Sequence, residues 1–141
     1  MRNFNSSRTS ENVLNLLTLT LRLFIGISML THGLPKLEKL IANDKIEFMS
    51  FLGLGSAITL VLVVFAEVAC SVFIILGFLT RFAAIPLMIT MLVAFFIVHG
   101  PDEYSEKELS LLYFFFYFSI LILGAGKYSV DWIFSKKEAV Y

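Results

Sequence analysis

Four apolar runs, at 14–31, 57–79, 82–98 and 109–123, constrain this chain more than any other feature of its sequence. Each approaches the roughly 20 residues that carry a helix across a hydrocarbon core, the last being the shortest. Backbone groups in lipid must be bonded within their own segment or in a closed barrel, and these runs lack the alternation of a barrel strand. The sequence therefore predicts an all-α fold, with four transmembrane helices in an antiparallel bundle over 14–126. A polar tail at 1–13 and a short carboxyl tail at 127–141 flank it.

Composition agrees with lipid as the main solvent, since 58% of the 141 residues are hydrophobic and the mean hydropathy is +0.85. Eleven basic and 11 acidic residues cancel, which leaves no electrostatic footprint for nucleic acid. The single cysteine, Cys70, excludes an internal disulfide and any CxxC chemistry, and its apolar setting makes it a packing residue. No small-residue cleavage site closes the run that begins at Leu14, so that run is expected to be retained as a span. No phosphate loop, nucleophile elbow or dinucleotide fingerprint occurs.

The connector 33–56 is the long one. Leu34, Leu37 and Ile41 recur in it at helical spacing beside Lys36, Glu38 and Lys39, and Phe48, Phe51 and Leu52 come after them. That pattern suits a segment lying in the headgroup plane, with a plain loop as the alternative. Orientation is set by Lys and Arg: with the amino terminus in the cytoplasm, Arg2, Arg8, Arg81, Lys127, Lys136 and Lys137 lie inside. Lys36, Lys39, Lys45 and Lys107 then lie outside, and both termini are expected to be cytoplasmic.

A weak internal repeat fits this layout. The first run ends Thr31-His32-Gly33-Leu34-Pro35 and the third Val98-His99-Gly100-Pro101. The second and fourth end Ile75-Leu76-Gly77 and Ile122-Leu123-Gly124 before a basic residue. Two such hairpins in the same orientation would be related by an axis along the membrane normal.

Arg22, Gly26, His32-Gly33-Leu34-Pro35-Lys36, Glu67, Gly77-Phe78-Leu79-Thr80-Arg81, His99-Gly100-Pro101 and the stretch Gly124-Ala125-Gly126-Lys127-Tyr128-Ser129-Val130-Asp131 carry a resemblance to the DoxX family of small four-helix membrane proteins. The resemblance covers nearly the whole chain after residue 15. It implies a four-helix fold in a bacterial cytoplasmic membrane. It also implies a link to quinone-dependent sulfur oxidation, because the family is named for a subunit similar to the small subunit of a thiosulfate:quinone oxidoreductase. Many relatives have a proline at the start of the second span, where this chain reads Gly53-Leu54-Gly55.

Arg22 and Glu67 are the ionisable residues inside the runs. A charge near the bilayer centre costs about 2.5 to 3.5 kcal/mol on the milder insertion scale, so such residues are expected to be buried, paired or functional. At a rise of ~1.5 Å per residue both lie within about 3 Å of their span centres, and the sequence predicts that they pair. Arg22, Gly26, Met29 and Gly33 share one helix face, and Glu67, Cys70, Ile74 and Gly77 share another, so close packing is expected between them. Such a pair is either architectural or part of a site handling a proton or a polar ligand.

His32 and His99 are expected to end the first and third helices at the same outer depth, each followed by a glycine in the left-handed cap position. They are either polar helix ends or a shared outer site, completed by Asp102 or Glu106, for a quinone head group or a metal. Two histidines without close spacing are a weak metal signal. A bis-histidine haem is the poorer redox alternative, since ligands at helix ends leave much of the macrocycle outside the bundle. Tyr113 and Tyr117 share a face of the fourth run with Ser110 and are either belt residues or a ring-stacking surface.

Three functions fit these features. The first is a membrane subunit of a quinone-linked oxidoreductase whose protein partner brings the redox centre. The second is a non-catalytic membrane partner or assembly subunit, acting with another protein or as a homo-oligomer. The third is a small proton-coupled transporter using Glu67.

Overall fold

The structure, a computed structural model, describes residues 10–42 and 48–138, with side chains in the last helix as far as Lys136. These residues form five helices and no strand: α1 (Glu11–Ile41), α2 (Ser56–Leu76), α3 (Thr80–Val98), α4 (Tyr104–Leu123) and α5 (Val130–Glu138). Helices α1, α2 and α3 are long and apolar enough to cross a membrane. Helix α4 has 20 residues and carries Glu106, Lys107 and Glu108 in its first turns.

Helix α1 packs on α2, α3 on α2 and α4, and α4 on α1, so the four long helices close a ring of contacts. The core draws Ile25 and Met29 from α1, Cys70 and Ile74 from α2, Ala84 and Leu87 from α3, and Tyr117 and Ile120 from α4. Yet at most 44% of any spanning window is buried. Phe24, Phe82 and Phe96 point outward, as lipid-facing side chains do.

Several boundaries differ from the sequence expectation. Helix α1 does not stop at Thr31. It runs through His32 and Pro35 to Ile41, 31 residues or roughly 46 Å of helix, well beyond a ~30 Å hydrocarbon core. The apolar residues Leu34, Leu37 and Ile41 continue the helical period, so the first part of the expected interfacial connector is the last part of α1. Residues 43–47 of that connector lie outside the described residues. The remainder turns through Leu52, Gly53 and Gly55, all at positive φ.

Helix α3 starts at Thr80, two residues ahead of the expected 82, and holds Pro86 in its second turn. Helix α4 begins at Tyr104, ahead of the expected 109. The carboxyl tail contains α5, a helix that the sequence expectation lacks.

Close packing between α1 and α2 rests on small residues. A Cβ at Gly26 would stand 2.5 Å from Ile75 Cγ1 and 3.2 Å from Ser71 O, and one at Gly33 would stand 2.8 Å from Val68 Cγ2 and 3.0 Å from Glu67 Cβ. Gly77 abuts the Arg22 guanidinium. Rising positions on α1 thus meet falling positions on α2. Gly77 ends α2 in the left-handed conformation, φ 70° and ψ 41°, which a Cβ would disfavour.

Candidate functional site

Arg22 and Glu67 are both buried, with 1% and 2% of their surfaces exposed, but they do not pair. In a helix each side chain leans toward the amino-terminal end. Since rising positions on α1 meet falling positions on α2, Arg22 stands level with Gly77 and Glu67 with Gly33, roughly 15 Å apart along the helices, and the two side chains lean further apart.

Arg22 reaches the turn after α4, where Nη1 donates to Ala125 O and Nη2 to Tyr128 O, each at 2.6 Å. The same turn is held by Asn15, whose Oδ1 accepts from Lys127 N at 2.9 Å. Asp131 accepts from Leu79 N, Thr80 N and the Thr80 hydroxyl at 2.7 to 2.9 Å. Arg22 and Asn15 therefore tie α1 to the loop that leads to α5. The planar guanidinium fork suits two carbonyls at once.

Glu67 is paired instead with Lys36, whose Nζ lies 2.5 Å from Oε1. The sequence expectation puts Lys36 in a headgroup segment, yet the signal that places it is present: residues 22, 26, 29, 33 and 36 form one stripe at helical spacing, so an uninterrupted α1 must present Lys36 on the buried face. Glu67 stands in a π-helical turn, Phe65–Cys70, within α2, a backbone irregularity found frequently at functional sites. Its second oxygen, Oε2, is buried and has no hydrogen-bond partner. One turn on, the Ser71 hydroxyl is buried without a hydrogen-bond partner, and so is that of Tyr117.

A cavity of about 250 Å³ opens above Glu67. Its walls include His32, Lys36, Glu67, His99, Glu106 and Tyr113, with Met29, Met91 and Ser110. Four residues that the sequence offered as an outer ligand site, His32, His99, Glu106 and Tyr113, thus share one cavity. Tyr117 sits deeper and fully buried, 6.4 Å from the Tyr113 ring. The His32 ring meets Tyr113 edge-to-face at 5.8 Å.

The two histidines differ in backbone setting, contrary to the expected matched helix ends. His32 and Gly33 are interior to α1, and His99 comes directly after the π-helical last turn of α3, Ala94–Val98. Neither Gly33 nor Gly100 is among the glycines at positive φ. The sequences after them explain the difference: Lys36 and Leu37 prolong the helix, while Pro101 and Asp102 form a turn that leads to Glu103, the amino-terminal cap of α4. His99 Nδ1 lies 2.9 Å from Asp102 Oδ2, which fixes its ring.

A second cavity, of about 520 Å³ and mostly apolar, lies on the other side of the Lys36–Glu67 pair. Phe48, Met49, Phe51, Leu62, Ile89 and Val93 line it, and Lys36, Glu67, Ala94 and His99 belong to both cavities. Among the described residues no three His, Cys, Asp or Glu side chains are grouped to hold a metal ion.

The DoxX family model matches residues 17–100, more than half of the chain. The chain belongs to the DoxX family. No curated protein and no solved structure matches it. The DoxX match holds Arg22, His32, Lys36, Glu67 and His99 but ends before Glu106, Tyr113 and Tyr117. The resemblance expected over nearly the whole chain is thus a match that stops two residues after α3, and the turn after α4 that Arg22 holds lies outside it.

Proposed function

We propose that this DoxX-family protein is an antiparallel four-helix membrane subunit that binds a quinone or quinol as the membrane partner of an oxidoreductase. Both termini lie in the cytoplasm of a bacterial cell. The observation that carries the ligand is the unpartnered Glu67 Oε2 at a wall shared by a polar and an apolar cavity. A buried carboxylate oxygen without a partner costs free energy that a ligand hydroxyl would recover. A polar chamber adjoining an apolar one fits a molecule with a polar head and a hydrocarbon tail.

A bound quinone supplies two-electron, two-proton redox capacity, and the partner protein brings the centre that exchanges the electrons. This chain's own residues bind and orient. Lys36 Nζ offers a donor to a carbonyl oxygen, and Glu67 Oε2 accepts from a hydroxyl. With Nδ1–H donating to Asp102, the Nε2 of a neutral His99 is left as an acceptor. His32 and Tyr113 offer ring surface to a flat head group. Orientation rests on the Lys and Arg bias, and the antiparallel bundle is supported by the reversed order of contacts between α1 and α2.

The test is extraction of lipids from protein purified in a mild detergent, with chromatographic assay for quinone. Quinone near one per chain in the parent, and several-fold less in a folded Glu67→Gln variant, is the expected result. A stable complex with another protein and no quinone would replace this reading with that of an assembly subunit. Proton-coupled flux in vesicles would replace it with that of a transporter.

A further inference from the structure

A third cavity, of about 500 Å³, lies at the other end of the bundle, where Arg22 ties down the turn after α4; Leu79, Arg81, Phe82, Leu123 and Trp132 are among its walls. We propose that it is a binding site for an anionic phospholipid, with the phosphate on Arg81 and the acyl chains along Phe82, Leu79 and Leu123. The proposal is independent of the quinone reading.

Basic side chains gather around this cavity. Arg81 is exposed, and its Nη2 reaches Ile122 O at 3.5 Å, the outer limit of a hydrogen bond, so its planar fork has donors to spare. Lys127 and Lys136 place their ammonium groups 5.7 and 5.2 Å from the centre of the Trp132 ring. Asp131 also lines the cavity, but both of its oxygens are taken up by Leu79 and Thr80, so its charge is directed into that turn. Arg81 is therefore the cation that lines the cavity with donors to spare, Lys127 and Lys136 are drawn onto the Trp132 ring, and the one carboxylate in the lining is already engaged.

The apolar half of the site is equally plain. Leu79, Phe82, Leu123, Ile133 and Phe134 are all exposed around this end, Phe82 at 72%. Cations and a tryptophan beside bare aliphatic and aromatic side chains make up the composition of a membrane-water boundary. A free inorganic anion would use only the Arg81 half. A zwitterionic lipid would bring its own cation against Arg81 and Lys136.

Trp132 is the chain's single tryptophan, so its fluorescence reports the lipid beside this cavity. The full chain is reconstituted in phosphatidylcholine vesicles with an equal share of phosphatidylglycerol, brominating one lipid or the other. Brominated phosphatidylglycerol should quench Trp132 about threefold to fivefold more effectively, the scale of one basic residue near an anionic surface. Arg81→Gln should bring that preference close to unity and Arg81→Lys should keep most of it. Equal quenching by both lipids in the parent, or full preference in Arg81→Gln, overturns the proposal. So does inorganic phosphate abolishing the preference at an ionic strength where chloride does not, which would make this a site for a soluble anion. Should Arg81→Gln fail to fold, the parent still decides: its preference must fall as salt is raised, and indifference to salt overturns the proposal.

Discussion

Lys36 of α1 lies 2.5 Å from Glu67 Oε1 of α2, and the other carboxylate oxygen of Glu67 has no partner. The pair is asymmetric in burial, with 33% of the Lys36 side chain exposed against 3% for Glu67. The lysine can therefore turn to water, while the glutamate cannot.

That asymmetry sets the outcome of a mutant cycle. Lys36→Met strands a buried carboxylate and should cost about 2 to 3 kcal/mol, below the about 3 to 5 of a fully buried pair because water reaches Lys36. Glu67→Met should cost less, and the double change should lie closer to the parent than Lys36→Met alone. In the same unfolding assay Arg22→Leu and Glu67→Leu should add to within about 0.5 kcal/mol, as uncoupled sites do. Coupling well above that would mean that Arg22 and Glu67 interact after all.

Removing Arg22 should loosen a place far from it in sequence. Arg22→Leu leaves the carbonyls of Ala125 and Tyr128 without their donors, at about 1.5 to 3 kcal/mol for each bond to a charged group. Hydrogen exchange should speed up at 124–131 before it changes in α2. Arg22→Lys should not restore protection, because an ammonium cannot hold two carbonyls in a planar fork. Unchanged exchange in this turn would remove the tie.

Gly33→Ala tests the close approach of α1 and α2. Helix propensity alone would favour alanine by about 1 kcal/mol. The new Cβ would meet Val68 Cγ2 at 2.8 Å and the Glu67 backbone at 3.1 Å, and overpacking of this kind costs about 1 to 3 kcal/mol. A lower melting temperature and less copurified quinone are expected together. A more stable protein would show that the helices move apart without cost.

Labelling decides the topology. In a Cys70→Ala background, Glu103→Cys should react with a membrane-impermeant maleimide in intact cells, and Ser135→Cys only after the membrane is opened. Outside labelling at Ser135→Cys would reverse the proposed orientation.

Much of the fold was legible because the bilayer imposes it: a backbone in hydrocarbon must be helical or close a barrel, so apolar length without alternation announced α1, α2 and α3. Helical spacing also gave the buried faces correctly, from Arg22 to Gly33 on α1 and from Glu67 to Gly77 on α2, since periodicity is a local property. His32, His99, Glu106 and Tyr113 could be gathered as one group because they stand near the same ends of their runs.

Partnership was not legible, because it depends on where side-chain tips go once helices are docked. Equal distance from the span centres suggested that Arg22 and Glu67 meet, but the helices dock in another register, with Arg22 level with Gly77 and Glu67 level with Gly33, and the side chains lean apart as well. Helix ends were equally open: the same His-Gly motif is interior to α1 and closes α3, according to whether Lys36 and Leu37 or Pro101 and Asp102 come next. By itself the sequence determined that this chain is a bundle of apolar helices with buried charges. The tertiary structure decided that Glu67 belongs to Lys36, at a wall between two cavities, and that Arg22 belongs to the turn after α4, because only docked helices bring groups more than 30 or 100 residues apart within hydrogen-bond reach.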